Sequence, residues 1–179
     1  MNSAMVFEEI KNFMNAAWDG DVDGIHAFLD KYPGATEITK GEPAGWTALM
    51  WSARNGKMDS IKALLERGAK VDARDGDGQT PLMMAAHRGY ISVVGLLIEK
   101  GADVGATDGK GRTAADIARA ENQRLTTGIL EKAAAEKRQQ QTEAERAAAE
   151  RISDAEKDLQ DRMRQVARTG KFRIRGAQP

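Results

Sequence analysis

The sequence predicts an all-α protein: a solenoid of about four stacked helix pairs, extended by a long C-terminal helix. Three observations predict it. Short motifs recur every 33 residues, with threonines at Thr47, Thr80 and Thr113. Within that period, turn residues also recur, at Gly56, Gly89 and Asn122. Beyond Leu130 the composition shifts, and residues 131–168 contain neither Gly nor Pro.

The repeat is visible in longer stretches as well. Gly45-Trp46-Thr47-Ala48-Leu49 aligns with Gly78-Gln79-Thr80-Pro81-Leu82 and with Gly111-Arg112-Thr113-Ala114-Ala115. Ala53-Arg54-Asn55-Gly56 aligns with Ala86-His87-Arg88-Gly89, and Leu64 to Ala69 aligns with Leu97 to Ala102. The best unit spans about residues 75–107. It strings together Gly-x-Thr-Pro-Leu, Ala-Ala-x-x-Gly, Val-Val-x-Leu-Leu and Gly-Ala-Asp-Val. In this combination the sequence closely resembles the ankyrin-repeat family. The resemblance implies helix pairs joined by hairpin fingers over residues 1–130.

Each element then has a physical reason. Thr47, Thr80 and Thr113 sit where a hydroxyl caps the first helix of a pair. Pro81 follows at the first helical position, where its missing N–H costs nothing. Gly56 and Gly89 permit the tight turn between paired helices, and asparagine at 122 is the next most tolerant residue there. Gly68 and Gly101 end the second helices. Leu64, Leu65, Val93, Val94, Leu96 and Leu97 fall on one helical face and are expected to form a continuous core. Ala17 to Leu29 reads as a degenerate first pair, and Thr113 to Ala118 as a closing repeat; terminal repeats depart from consensus because one side faces water. The histidine the family often carries after Thr-Pro-Leu is replaced by Met50, Met83 and Asp116, which removes a locking hydrogen bond and predicts modest stability.

The final repeat helix is expected to continue from about Asn122 through the charged residues 131–169 as one long helix, about 60 Å or more at ~1.5 Å per residue. Its second half carries an apolar stripe at spacings of three and four: Ile152, Ala155, Leu159, Met163 and Val166. A coiled coil, a contact with another protein and a solvated helix are the three readings of that stripe, and Arg162 interrupts a seven-residue register. Residues 170–179 read as a basic tail in which Phe172 alternates with charge; adding a strand to a partner's sheet, touching an acidic surface and disorder are its three readings.

Composition narrows the function. The chain has 179 residues, with 27 basic and 27 acidic side chains. Residues 131–179 hold 12 basic and 9 acidic residues, leaving 15 and 18 for the repeats. This mild asymmetry does not point to nucleic acid, though the basic tail leaves it open. With no cysteine, disulfide frameworks and thiol chemistry are excluded. The N-terminus lacks the pattern of a signal peptide, so a cytoplasmic protein is expected. No catalytic constellation, metal site or cofactor motif is recognised, and His26 and His87 are too separated to build a metal site. One stretch imitates a calcium loop: Asp19, Asp21, Asp23, Gly24 and Asp30 match EF-hand positions. The competing reading, in which Asp21 caps a second helix and Val22, Ile25, Phe28 and Leu29 fill the core, is preferred. Asp108-Gly-Lys-Gly-Arg112, which imitates a phosphate cradle, is read as a finger between repeats.

The resemblance also implies where a partner binds. Ankyrin proteins grip partners with fingertips and with the exposed side of each first helix. Carried onto this sequence, the fingertips give Trp46, Arg74, Asp77, Gln79, Lys110 and Arg112. The first helices give Trp18, Trp51, Arg54, Asn55, Met84, His87 and Arg88. All three tryptophans of the chain fall in this set, and tryptophan and arginine are enriched at binding hot spots. The expectation is a non-enzymatic adaptor or assembly subunit, gripping one protein through the repeats and docking a second surface with Leu159, Met163 and Phe172. An inhibitor that covers an enzyme's active site and a coiled-coil dimeric scaffold are the alternatives.

Overall fold

The computed structural model describes residues 3–39 and 45–169. Among these are eight α-helices: α1 (Ser3–Asp19), α2 (Val22–Lys31), α3 (Ala48–Arg54), α4 (Met58–Glu66), α5 (Pro81–Arg88), α6 (Ile91–Glu99), α7 (Ala114–Ala120) and α8 (Arg124–Thr169). A 3-10 turn (Ala35–Glu37) follows α2. The only ladder-type pairings among the described residues are isolated bridges, Thr39–Thr47 and Thr107–Thr113. The chain divides into two compact units, Met1–Ala135 and Glu136–Pro179.

The first unit is a stack of helix pairs. α1, α3, α5 and α7 pack side by side as one row; α2, α4 and α6 pair with α1, α3 and α5, and α2 also touches α4. Capping places the first helices. The hydroxyls of Thr47, Thr80 and Thr113 accept from the backbone N–H of Met50 (3.3 Å), Met83 (3.4 Å) and Asp116 (3.2 Å). Pro81 occupies the first turn of α5. The turns between paired helices are pinned by left-handed residues at Gly56, Gly89 and Asn122, with φ of 71°, 72° and 57°. Asn122 is the sole described non-glycine residue with positive φ, in keeping with the tolerance of asparagine for that region.

The lost histidine is compensated in the third unit. Asp116 closes a capping box: its Oδ2 accepts from the Thr113 backbone N–H (3.0 Å) and from the Thr113 hydroxyl (2.7 Å). Met50 and Met83 instead fill the core, both essentially fully buried.

Leu64, Val93, Val94, Leu96 and Leu97 are buried as expected, whereas Leu65 is only partly buried against the same core. The core continues through Leu49, Ile61 and Leu82 to Ile117 and Leu130. Each such side chain contributes about 1.5–3 kcal/mol by leaving water. The N-terminal pair follows the same logic, with Phe13 stacked on Phe28 at 4.3 Å between ring centroids. Tyr32 and Lys31, after and at the end of α2, both donate to the Glu9 carboxylate of α1, at 2.5 and 2.6 Å. Asp21 caps α2, its carboxylate accepting from the Gly24 N–H at 3.0 Å. Most of the calcium-loop look-alike is therefore helix, not loop.

The second unit consists, in its described part, of the remainder of α8. Its residues 136–165 are exposed, including Ile152, Leu159 and Met163, and Val166 is partly so. Among the described residues no helix is long and apolar enough to cross a membrane.

Candidate protein-binding site

Counting from the left-handed turn residues Gly20, Gly56 and Gly89 fixes which side chains line up along the row of first helices. Two residues before each turn stand Trp18, Arg54 and His87; one residue before stand Asp19, Asn55 and Arg88. These are the positions that the helix pairs leave outside the core. Trp18, Asp19 and Arg88 are exposed, and Arg54, Asn55 and His87 are half-buried.

Three aromatic rings run through the first part of this row. Trp18 of α1 and Trp51 of α3 lie with ring centroids 4.9 Å apart, tilted by 56°. Trp51 in turn meets Trp46, which precedes α3, at 4.5 Å and 60°. The Arg54 guanidinium lies over the Trp46 ring, its Cζ 5.2 Å from the centroid, a cation–π geometry. Tilted rings at these separations touch edge to face. They form a continuous wall with no slot between rings for an inserted group. Trp18 remains 46% exposed, so the wall presents apolar surface to a partner. Asn55 is fixed by its own amide, which donates to the Trp51 carbonyl at 2.8 Å.

The fingers are built around two buried aspartates that the sequence reading did not single out. Asp75 Oδ1 accepts from the backbone N–H groups of Asp77 (3.0 Å) and Gln79 (2.7 Å), and its Oδ2 accepts from the Trp46 indole N–H (2.9 Å). Asp108, 33 residues later, repeats the arrangement. Its Oδ1 accepts from the N–H groups of Lys110 and Arg112, both at 2.9 Å, and its Oδ2 accepts from Arg112 Nε (2.9 Å) and an Nη (2.7 Å). Burial pushes the Asp108 carboxyl up, but the hydrogen bonds from Arg112 and Lys110 outweigh it and hold the group below the usual carboxylate range. Trp46 and Arg112 thus fill the same role on aspartates one repeat apart, Trp46 reaching across from the repeat before and Arg112 capping the aspartate of its own finger. The signal was present in the sequence, since Asp75 and Asp108 share one register position in Asp-Gly-x-Gly contexts.

Neighbouring fingers are also joined. Asp77 accepts at its carbonyl from the Gly109 N–H at 2.8 Å, and Arg74 donates to the carbonyls of Gly78 (3.2 Å) and Thr107 (2.8 Å). Arg74, Asp77 and Lys110 are exposed at the tips, with Gln79 and Arg112 half-buried. A short look-alike of a phosphate cradle, Asp108 to Arg112, is accounted for by this finger geometry.

One residue must be moved. Met84 is 1% exposed and belongs to the core, not to the surface the resemblance implied. Its position, five residues before the turn, is buried in α7 too, where Ile117 occupies it. In α3 that position carries Trp51, whose larger indole reaches the surface. His87 lies beside Glu121, with Nε2 3.5 Å from the carboxylate. His26 contacts Arg67 through Nδ1 at 3.0 Å. Among the described residues no group of three acidic, histidine or cysteine side chains is placed to hold a metal ion. Leu159 and Met163 are exposed in the second unit. Phe172 lies outside the described residues.

Comparison with known proteins agrees with this architecture. No curated protein matches the chain. A family model describing ankyrin repeats in three copies matches residues 13–108, more than half of the sequence and the span that contains α2 to α6, the tryptophan wall and the Asp75 finger. The chain belongs to the ankyrin-repeat family, whose repeats generally mediate protein–protein interactions.

Proposed function

We propose that this protein is a non-catalytic adaptor or assembly subunit that holds a partner protein against the first-helix row and fingertips, and presents a second contact surface on α8. The observation that carries the reading is the continuous wall of Trp18, Trp51 and Trp46 with Arg54 over its end. Large aromatic rings already held by neighbours lose little side-chain freedom on binding, which favours affinity. Trp18 and Arg88 extend the exposed part of the row, and both residue types are enriched among binding hot spots. The fingers supply the polar rim through Arg74, Asp77, Gln79, Lys110 and Arg112. A partner with an apolar or aromatic segment next to acidic groups fits this surface, because Arg54 lies over Trp46 and Arg88 is exposed on the next first helix of the row.

The test is capture of partners from native cells by the full chain and by Trp18→Ala/Arg88→Ala. Both substitutions are at exposed positions, so the thermal midpoint should change little. The reading predicts that one defined protein is retained by the wild type and lost by the variant. Equal recovery of every partner by both chains would contradict it.

A further inference from the structure

The exposed stripe on α8 follows an eleven-residue repeat. Gln141, Ile152 and Met163 are spaced by eleven residues, as are Ala144, Ala155 and Val166, and Ala148 and Leu159. The successive steps are therefore three, four and four residues. Eleven residues over three turns average 3.67 per turn, close to the relaxed α-helix, so such a series stays on one face with little drift. A seven-residue register fails where the eleven-residue one succeeds, since it puts Arg162 in the place of Met163. Ile152, Leu159 and Met163 are 61%, 58% and 62% exposed, a row of large apolar side chains of the kind that marks a contact.

The charges nearest the stripe are sorted by sign, with one acid, Asp158, further out on the basic edge. At about 100° per residue, Glu145 and Glu156 fall along one edge and Arg151 and Arg162 along the other. The ion pairs that the helix makes with itself in this stretch, Lys157–Asp154 and Arg164–Asp161, both at 3.5 Å, fall on the opposite side. The two edges are thus left to face whatever covers the stripe.

We propose that a second copy of this chain covers it, with two α8 helices packed side by side, parallel and in register. In a parallel pair a two-fold axis along the helices sets the acidic edge of one copy against the basic edge of the other. Arg151 then meets Glu156 of the second copy, five residues further on, and the symmetric contact forms as well. An antiparallel pair would set Glu against Glu and Arg against Arg, which is unfavourable. The alanines at 144, 148 and 155 let the backbones approach closely, while Ile152, Leu159, Met163 and Val166 supply the apolar area. This rests on the reading of α8 as a contact surface and is independent of the tryptophan wall.

The test uses the full chain, purified alone. Sedimentation or light scattering should show the mass rise from 19.5 kDa to twice that value as concentration increases. Leu159→Asp should remain monomeric with unchanged helical content and thermal midpoint. Arg151→Glu and Glu156→Arg should each weaken association by about tenfold, and the double exchange should restore it to within about threefold, as expected for paired charges. Because the chain has no cysteine, a Gln141→Cys variant reports orientation. Oxidation should cross-link it to itself in a parallel pair and leave it unlinked in an antiparallel one. A chain that stays monomeric at every concentration, a Leu159→Asp chain that still dimerises, or a Gln141→Cys chain that does not cross-link would each overturn the proposal. With no partner present, none of these failures touches the tryptophan wall.

Discussion

The indole N–H of Trp46 donates to the Asp75 carboxylate at 2.9 Å across a separation of 29 residues. A residue at the start of one repeat is thereby held by the finger of the next. The same carboxylate organises its own finger through the N–H groups of Asp77 and Gln79, so one buried side chain sets both the tip and the last ring of the wall.

Replacing Asp75 by Ala should therefore cost more than removing any one of its bonds. Three donors lose their acceptor in a partly buried setting, and each donor that water does not reach costs about 1–3 kcal/mol. A total loss of about 3 kcal/mol is expected in urea unfolding. Trp46→Phe, which removes only the indole donor, should cost about 1 kcal/mol beyond its packing change. Equal destabilisation by the two variants would show that the finger does not depend on Asp75.

Gly78 is a further structural constraint on the fingers. Its φ is 75°, and an added Cβ would stand 3.1 Å from the backbone nitrogen of Gly109 in the next finger. Backbone cannot swing aside as a side-chain end can. Gly78→Ala should lose about 1–3 kcal/mol, with the loss seen as faster amide exchange at Gly109. Gly68→Ala is the control, because its Cβ would meet nothing within 4 Å. It should show the cost of positive φ alone, without a change at Gly109.

Acid should weaken the repeats through Asp116 and Asp108. The Asp116 carboxyl is held low by the Thr113 hydroxyl and backbone N–H and by Arg119, against the effect of burial. A folded-state value below the unfolded one means that the stabilisation is complete above the unfolded value of about 3.9. It is lost as pH falls through the lower folded value. Stability measured by urea unfolding should thus decline below about pH 4. Thr113→Ala should flatten that decline and lower stability at pH 7 by about 0.5–2 kcal/mol. Thr80→Ala, which caps α5 without a capping box, should leave the acid slope as it is in the wild type.

Much of the fold was legible because a repeat prints its backbone requirements at fixed intervals. Thr47, Thr80 and Thr113 cap helices, and Asn122 adopts the left-handed turn in place of glycine, as their chemistry requires. The sequence was also enough to prefer a cap at Asp21 over a calcium loop, since the apolar spacing of Ile25, Phe28 and Leu29 demands a helix there. Exposure was harder to read. Met84 and Trp51 share a register position, yet one is buried and the other half out, because side-chain size decides how far a residue reaches beyond the helix layer. The contacts of Trp46 with Asp75 and of Gly109 with Asp77 join separate repeats, and no local pattern announces such a pairing. The weak cohesion expected from the missing histidine likewise overlooked Asp116, whose carboxylate restores a lock of its own kind.

In the proposed function the indole wall is the surface that holds the partner. Oxidative footprinting of the full chain, free and in complex with a captured partner, tests it most directly, since all three tryptophans of the chain lie in that wall. Trp18, 46% exposed in the free protein, should lose most of its reactivity in the complex. Unchanged oxidation of Trp18 in a stable complex would place the partner elsewhere and contradict the account.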